Sequence, residues 1–194
     1  MAYDTFSDGS TYLSITKKDG SDMDFKAMIE TVDISGGAKD FDQIATIAGG
    51  RLKKFNPQEP TEITLEGYAV ELGSTSTTGN GFYDLMHSQD TTQPLSISTD
   101  LTRYEYQLVV LATDNASQTN ATSATSEGDA AIRYTFQNGH FTNVNASFTD
   151  GVWKFTITYK VTPFNKSGTS NITYESTDGS TGKTLSEVSS YTSS

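Results

Sequence analysis

The side chains with the most chemistry to offer are few. His87 and His140 are the two histidines, and neither has a second His nearby to share a metal or relay a proton. Asp19, Asp22 and Asp24 cluster on a short stretch, but they lack the roughly twelve-residue calcium-loop pattern and read as a solvated turn. There is no Cys, which excludes disulfides, thiolate metal sites, iron–sulfur clusters and Cys nucleophiles. A nucleophile elbow, a phosphate-binding loop and an H-E-x-x-H helix are also missing from the sequence. Five N-x-S/T sequons begin at Asn115, Asn120, Asn145, Asn165 and Asn171. In a chain this rich in Asn, Ser and Thr they are read as chance, with no signal peptide to expose them to glycosylation. The expectation is therefore no catalytic residue, no cofactor, no metal and no enzyme.

What remains is architecture. The 194 residues suit one domain over 1–176, followed by a Ser/Thr-rich C-terminal tail over 177–194. Only 34% of residues are hydrophobic, yet there are ten Tyr, ten Phe and thirty Thr, a composition that favours strands. No apolar run approaches the ~20 residues that cross a bilayer, so no membrane association is expected. The net charge of −11 argues against gripping a nucleic-acid backbone, a task that needs a basic patch.

Alternation marks the elements. Residues 12–16 read as a first strand with Leu13 and Ile15 on one face. Residues 25–34 are apolar on both parities, as in a central strand or a subunit contact. Residues 61–72 place Ile63, Leu65 and Ala69 on one face and Glu62, Thr64 and Glu66 on the other. The run 82–87 spaces Phe82, Leu85 and Met86 as a short helix would. Residues 95–98 and 103–112 are further strands, and 114–127 is a polar loop expected to be exposed. In the last third, Asn138-Gly139 and Asp150-Gly151 read as two-residue hairpin turns between three strands. Trp153, Phe155, Ile157, Tyr159 and Val161 share one face, which places Trp153 in the core. The predicted fold is all-β, a sandwich or flattened barrel of about seven to nine mostly antiparallel strands with one short helix.

One segment does not fit a self-sufficient domain. Residues 35–60 hold two Gly pairs, two Pro and five large apolar side chains, Phe41, Ile44, Ile47, Leu52 and Phe55. Loops beyond about 12–15 residues are uncommon and are usually functional or disordered. A disordered linker does not carry such side chains. The segment reads as a long assembly arm that needs a partner surface, as in a building block that hands segments to identical neighbours.

The run DISGGAKDFDQIATIAGGRLKKFNPQEPTEITLEGY, residues 33–68, resembles the long loop and following strand of major tail tube proteins from long-tailed (siphovirus-type) phages and archaeal tailed viruses. YKVTPFNKSGTSNITYESTDGS, residues 159–180, is similar to their late strand and the motif after it. Together the two runs cover about a third of the chain, and both are made of common residue types. The resemblance implies a β-sandwich virion protein, made in the host cytoplasm, that forms rings of six. Stacked rings make the tail tube through which genome DNA is ejected, their inner sheets closing into one barrel. It also implies that the arm carrying Phe41, Ile44, Ile47, Leu52 and Phe55 makes inter-subunit and inter-ring contacts. Partners would be further copies, the tape measure, tail terminator and distal tail proteins, and passing DNA without specific binding. Glu62, Thr64 and Glu66 are candidates to face the lumen, although an outer surface fits the same alternation. Two other readings remain open. One is a surface adhesin or carbohydrate-binding sandwich using Tyr104, Tyr106 and Trp153, and the other a non-viral injection-tube subunit.

Overall fold

The computed structural model describes residues 9–18, 22–23, 27–47, 49–69 and 105–192. Among the described residues there are ten strands: β1 Ser10–Lys17, β2 Asp22–Met23, β3 Ala27–Gly36, β4 Phe41–Ala45, β5 Arg51–Phe55, β6 Thr61–Ala69, β7 Tyr106–Thr113, β8 Ala130–Thr149, β9 Val152–Val161 and β10 Ile172–Asp178. All pairings are antiparallel, so the fold is all-β as the composition predicts. No helix occurs among the described residues; the helix expected at 82–87 and the strand at 95–98 lie outside them.

The strands follow the path β2-β1-β7-β8-β9-β6-β3, with β10 also on β8 and β4–β5 as a separate ribbon. Two half-sheets result because β8 belongs to both. Its first part, from Ala130 to Phe136, pairs with β7 and β10, and its second, from His140 to Thr149, pairs with β9. The halves face each other across one core. Leu13, Ile15, Leu108, Val110 and Phe136 from the first meet Ile63, Leu65, Phe155, Ile157 and Tyr159 from the second.

Asn138-Gly139 is therefore not the hairpin turn that its sequence predicts. Asn138 does adopt the left-handed conformation, with φ of 57°, but the strand continues and changes sheets there. Strands that switch sheets do so at bends of this kind. The Asn138 amide is held by Asn171 Oδ1 at 2.7 Å and accepts from the Tyr191 hydroxyl at 2.8 Å. Those partners are remote in sequence, so the dipeptide alone cannot reveal them. Asp150-Gly151 is a true hairpin turn, with φ of 56° and 79° and Thr149 opposite Val152.

The apolar residues of both parities in β3 have a different cause from two-sided burial. The register with β6 slips between Ile29 and Thr31. That bulge brings Ile29, Val32 and Ile34 to the same face as Leu65 and Ile63. Ile29 and Val32 pack on the core. β3 lies at the end of the strand path, not at its centre.

The outer face of the first half-sheet is covered too. The loop 114–129 and the Ser/Thr-rich segment after Thr177 lie against it, with Ala121, Leu185, Val109, Leu111 and Ala131 buried together. Arg133, also buried, bonds Glu175 at 2.6 Å, the Ser123 carbonyl at 3.2 Å and the Ser186 carbonyl. The loop expected to be exposed is thus anchored by small residues, buried Ala121 and Thr125, whose types do not signal burial in the sequence. Four of the five sequon asparagines have structural roles, while Asn145 is exposed. Asn171 is buried, and the Asn115, Asn120 and Asn165 side chains accept local backbone N–H bonds.

Candidate functional site

The second half-sheet, in order β8-β9-β6-β3, has one apolar and one polar face. Cross-strand registers set the polar face. Glu62 lies between Ser35 and Lys160, Thr64 between Asp33 and Thr158, and Glu66 between Thr31 and Thr156. Asn143 and Asn145 extend that face onto β8. Alternation therefore brings Glu62, Thr64 and Glu66 together, away from the core. The carboxylates are not unopposed, however. Glu62 pairs with Lys160 at 2.7 Å, and Lys154 sits 5.1 Å from the centre of the Tyr68 ring. The wall is rich in hydroxyls and amides with a small acidic excess.

Both edges of this half-sheet are open among the described residues. As strands, β3 pairs with β6 alone, and β8 from Phe141 onward pairs with β9 alone. Free edges are ready templates for another strand. Strand direction alternates across the four, so the two edges run antiparallel to each other.

The arm is a projecting hairpin. Gly36 begins it, with φ of 86° and so little room that a Cβ would lie 2.5 Å from the Pro60 carbonyl. A ladder continues outward through Glu59 N–H to the Ala38 carbonyl and Asn56 N–H to the Asp40 carbonyl. β4 and β5 follow, with Phe41 opposite Phe55 and Ile44 opposite Leu52. Phe41 and Phe55 share one face, and Ile44 and Leu52 the other. Every residue of both strands is exposed, and Ile47 at the tip is fully so. The structure thus gathers all five predicted arm side chains onto one ribbon and covers none of them.

At the far end of the half-sheet, β8 and β9 run past the core. Trp153 is 37% exposed and Phe148 62%, their rings 5.5 Å apart. Placing Trp153 in the core is therefore incorrect: it shares a face with buried Phe155 but lies two residues from the Asp150-Gly151 turn, in the exposed first part of β9. That adjacency is the signal the alternation obscures. Tyr106 is buried and so offers no face to a sugar; Tyr104 lies outside the described residues.

Where the half-sheets meet, a polar groove of about 780 Å³ runs past Lys18, Glu105, His140, Lys160 and Asn171. Two of its cations are paired within the fold, Lys18 with Glu105 at 2.5 Å and Lys160 with Glu62. Among the described residues no group of three or more His, Cys, Asp or Glu could hold a metal ion. His87 lies outside them, as do Asp19 and Asp24.

No family model matches the chain, and no curated protein does. Solved structures do. A chain of the anti-feeding prophage baseplate, in a 6-fold symmetrised structure, is 10% identical, with a TM-score of 0.50 over 90% of this chain and 97% of that one. A chain of the anti-feeding prophage tube-terminating cap is 14% identical, with a TM-score of 0.46 over 91% and 94%. A crystal structure of Hcp protein is 10% identical, with a TM-score of 0.41 over 91% and 99%. At these identities the likeness is one of fold, and the baseplate chain carries it.

Proposed function

We propose that this chain is a structural tube subunit rather than an enzyme. The observation that carries the reading is the half-sheet β8-β9-β6-β3: covered on one face, polar on the other and, among the described residues, open at both edges. In a ring of copies pointing the same way, the β8 edge of one subunit meets the β3 edge of the next. Their antiparallel sense lets the strand alternation continue through the joint. A barrel closed in this way abolishes every edge, and one of many strands encloses an aqueous channel. The polar face with Glu62, Thr64 and Glu66 then lines the lumen.

The tail-tube resemblance of residues 33–68 and 159–180 and the fold shared with an anti-feeding prophage baseplate chain favour the same reading. On it, six copies make a ring and the rings stack into the tail tube of a virion through which genome DNA is ejected. Tape measure, tail terminator and distal tail proteins are the other partners. A wall of hydroxyls, amides and a slight excess of carboxylate presents few cations to phosphate, which suits passage without binding. Negative-stain microscopy of concentrated protein tests this. Rings or hollow tubes are expected, and particles that stay dispersed at every concentration would overturn the proposal in favour of a monomeric binding module.

A further inference from the structure

Asn138 and Gly139 stand where β8 leaves one half-sheet for the other, and they form a pair with a chemistry of its own. A glycine nitrogen has no Cβ beside it as a shield, so in a free chain it can reach back to the carboxamide carbon of a preceding asparagine. The nitrogen gives up its proton and bonds Asn138 Cγ, the Cγ–Nδ2 bond breaks, and ammonia leaves with that proton. Water then opens the cyclic imide at either carbonyl and leaves aspartate or isoaspartate at position 138. The balance needs no oxidant, reductant or cofactor.

Both reacting groups are held. The Gly139 N–H donates to the Tyr159 hydroxyl, and the Tyr159 ring closes over the glycine. Asn138 Nδ2 donates to Asn171 Oδ1 at 2.7 Å, and Asn138 Oδ1 accepts from the Tyr191 hydroxyl at 2.8 Å. The Asn138 backbone N–H donates to the same hydroxyl at 3.1 Å. Asn171 is buried and cannot turn round, because its own Nδ2 is bound to the Thr162 carbonyl at 2.9 Å and hydroxyl at 3.2 Å. Tyr191 differs from the other members of this clamp. It comes from the irregular segment after β10, which is fastened to the loop 114–129 by Leu185 N–H to Thr125 Oγ1 and Val188 N–H to the Thr122 carbonyl, both at 2.9 Å. A segment without a ladder of its own opens at lower free energy than the core strands.

We propose that Asn138-Gly139 is a latent deamidation site whose gate is the segment 179–192, closed by the Tyr191 hydroxyl on the Asn138 carboxamide. While Tyr191 is seated, the carboxamide cannot swing over the Gly139 nitrogen. When the segment lifts, cyclisation proceeds and is not reversed. The product undoes the junction. An aspartate oxygen replaces the donor that faced Asn171 Oδ1, setting acceptor against buried acceptor, and isoaspartate lengthens the backbone by one carbon at the bend. The gate belongs to the single subunit and does not depend on assembly.

Peptide mapping by mass spectrometry, on the full chain aged at mildly alkaline pH, reads the conversion at position 138. In the folded wild type it should be many-fold slower than in the same chain aged in urea. Tyr191→Phe keeps the ring and removes both bonds to Asn138, and it should speed the conversion several-fold. Asn80-Gly81, the chain's other Asn-Gly pair, should convert equally in the two proteins, and hydrogen exchange over β7 and β9 should be the same in both. Equal conversion at position 138 in wild type and Tyr191→Phe would overturn the gate, as would a folded wild type that converts as fast as the unfolded chain. Faster exchange across β7 and β9 in Tyr191→Phe would also overturn it, by assigning the conversion to general unfolding.

Discussion

The Tyr159 ring fills the space that a side chain at residue 139 would need: a Cβ on Gly139 would lie 2.2 Å from Tyr159 Cζ. The Tyr159 hydroxyl donates to the Tyr106 carbonyl at 2.6 Å. One aromatic residue of β9 thereby locks the point where β8 changes sheets. Gly139→Ala should cost about 1–3 kcal/mol, the usual range for overpacking. For a domain of this size that lowers Tm by roughly 2–4 °C per kcal/mol, readable by calorimetry. A stability equal to wild type would show that the bend relaxes freely.

Alkaline pH should test the same lock. Burial raises the Tyr159 pKa well above the ordinary phenol range, opposed in part by a backbone hydrogen bond from Gly139. Because the folded value is the higher one, this contribution is complete below the unfolded pKa of about 10 and is lost as pH climbs toward the folded value. Denaturant midpoints should therefore fall above about pH 10. Tyr159→Phe should be less stable by about 1 kcal/mol at neutral pH and should have a shallower alkaline loss. Parallel pH curves for the two proteins would assign the effect elsewhere.

Arg133 ties the outer layer down. Replacing it with Met strands the Ser123 and Ser186 carbonyls and frees Glu175, which is itself half exposed. The cost should be about 1–3 kcal/mol for each carbonyl left unsatisfied. Hydrogen exchange should accelerate over residues 179–192 before the β-core, while Glu175→Gln should do far less. Uniform acceleration across the whole chain would argue against a local latch.

These residues show what alternation can and cannot reveal. Leu13, Ile15, Ile63 and Leu65 are legible because each lies on a strand whose period alone dictates its face. That 35–60 is an unusual segment is legible from its five large apolar side chains among Gly and Pro, but the β4–β5 pairing that carries four of them is not. The β3 bulge and the bend at Asn138 are not legible either, because each depends on the partner strand. A one-residue slip inverts the meaning of every position after it. Buried Arg133 was illegible for the same reason: its partners Glu175 and Ser186 come from segments that look like loops and tail.

Reversing Glu62 and Glu66 to Lys tests the lumen assignment. Exposed ion pairs contribute little to stability, so folding should survive even though Glu62 loses Lys160. Tubes should still form, and particles assembled from them should eject DNA more slowly. The effect should be greatest at low salt, where the Debye length is about 30 Å at 0.01 M against about 8 Å at physiological ionic strength. Unchanged ejection through intact tubes would put this face on the outside.

The strand pairings also set the tempo at which a subunit becomes usable. Thr61 pairs with Val161 and Ser10 with Thr113, so the central ladders join parts of the chain about a hundred residues apart. Such non-local topologies fold over milliseconds to seconds rather than microseconds. The β4–β5 ribbon closes within a few residues of itself and can form on the microsecond scale of a hairpin. A newly made chain can thus close the β4–β5 and β8–β9 hairpins long before the β6–β9 ladder that joins the two edge strands into one half-sheet exists. Stopped-flow refolding should show that interval as a slow phase in core burial. During it, high protein concentration would favour tangling over orderly assembly.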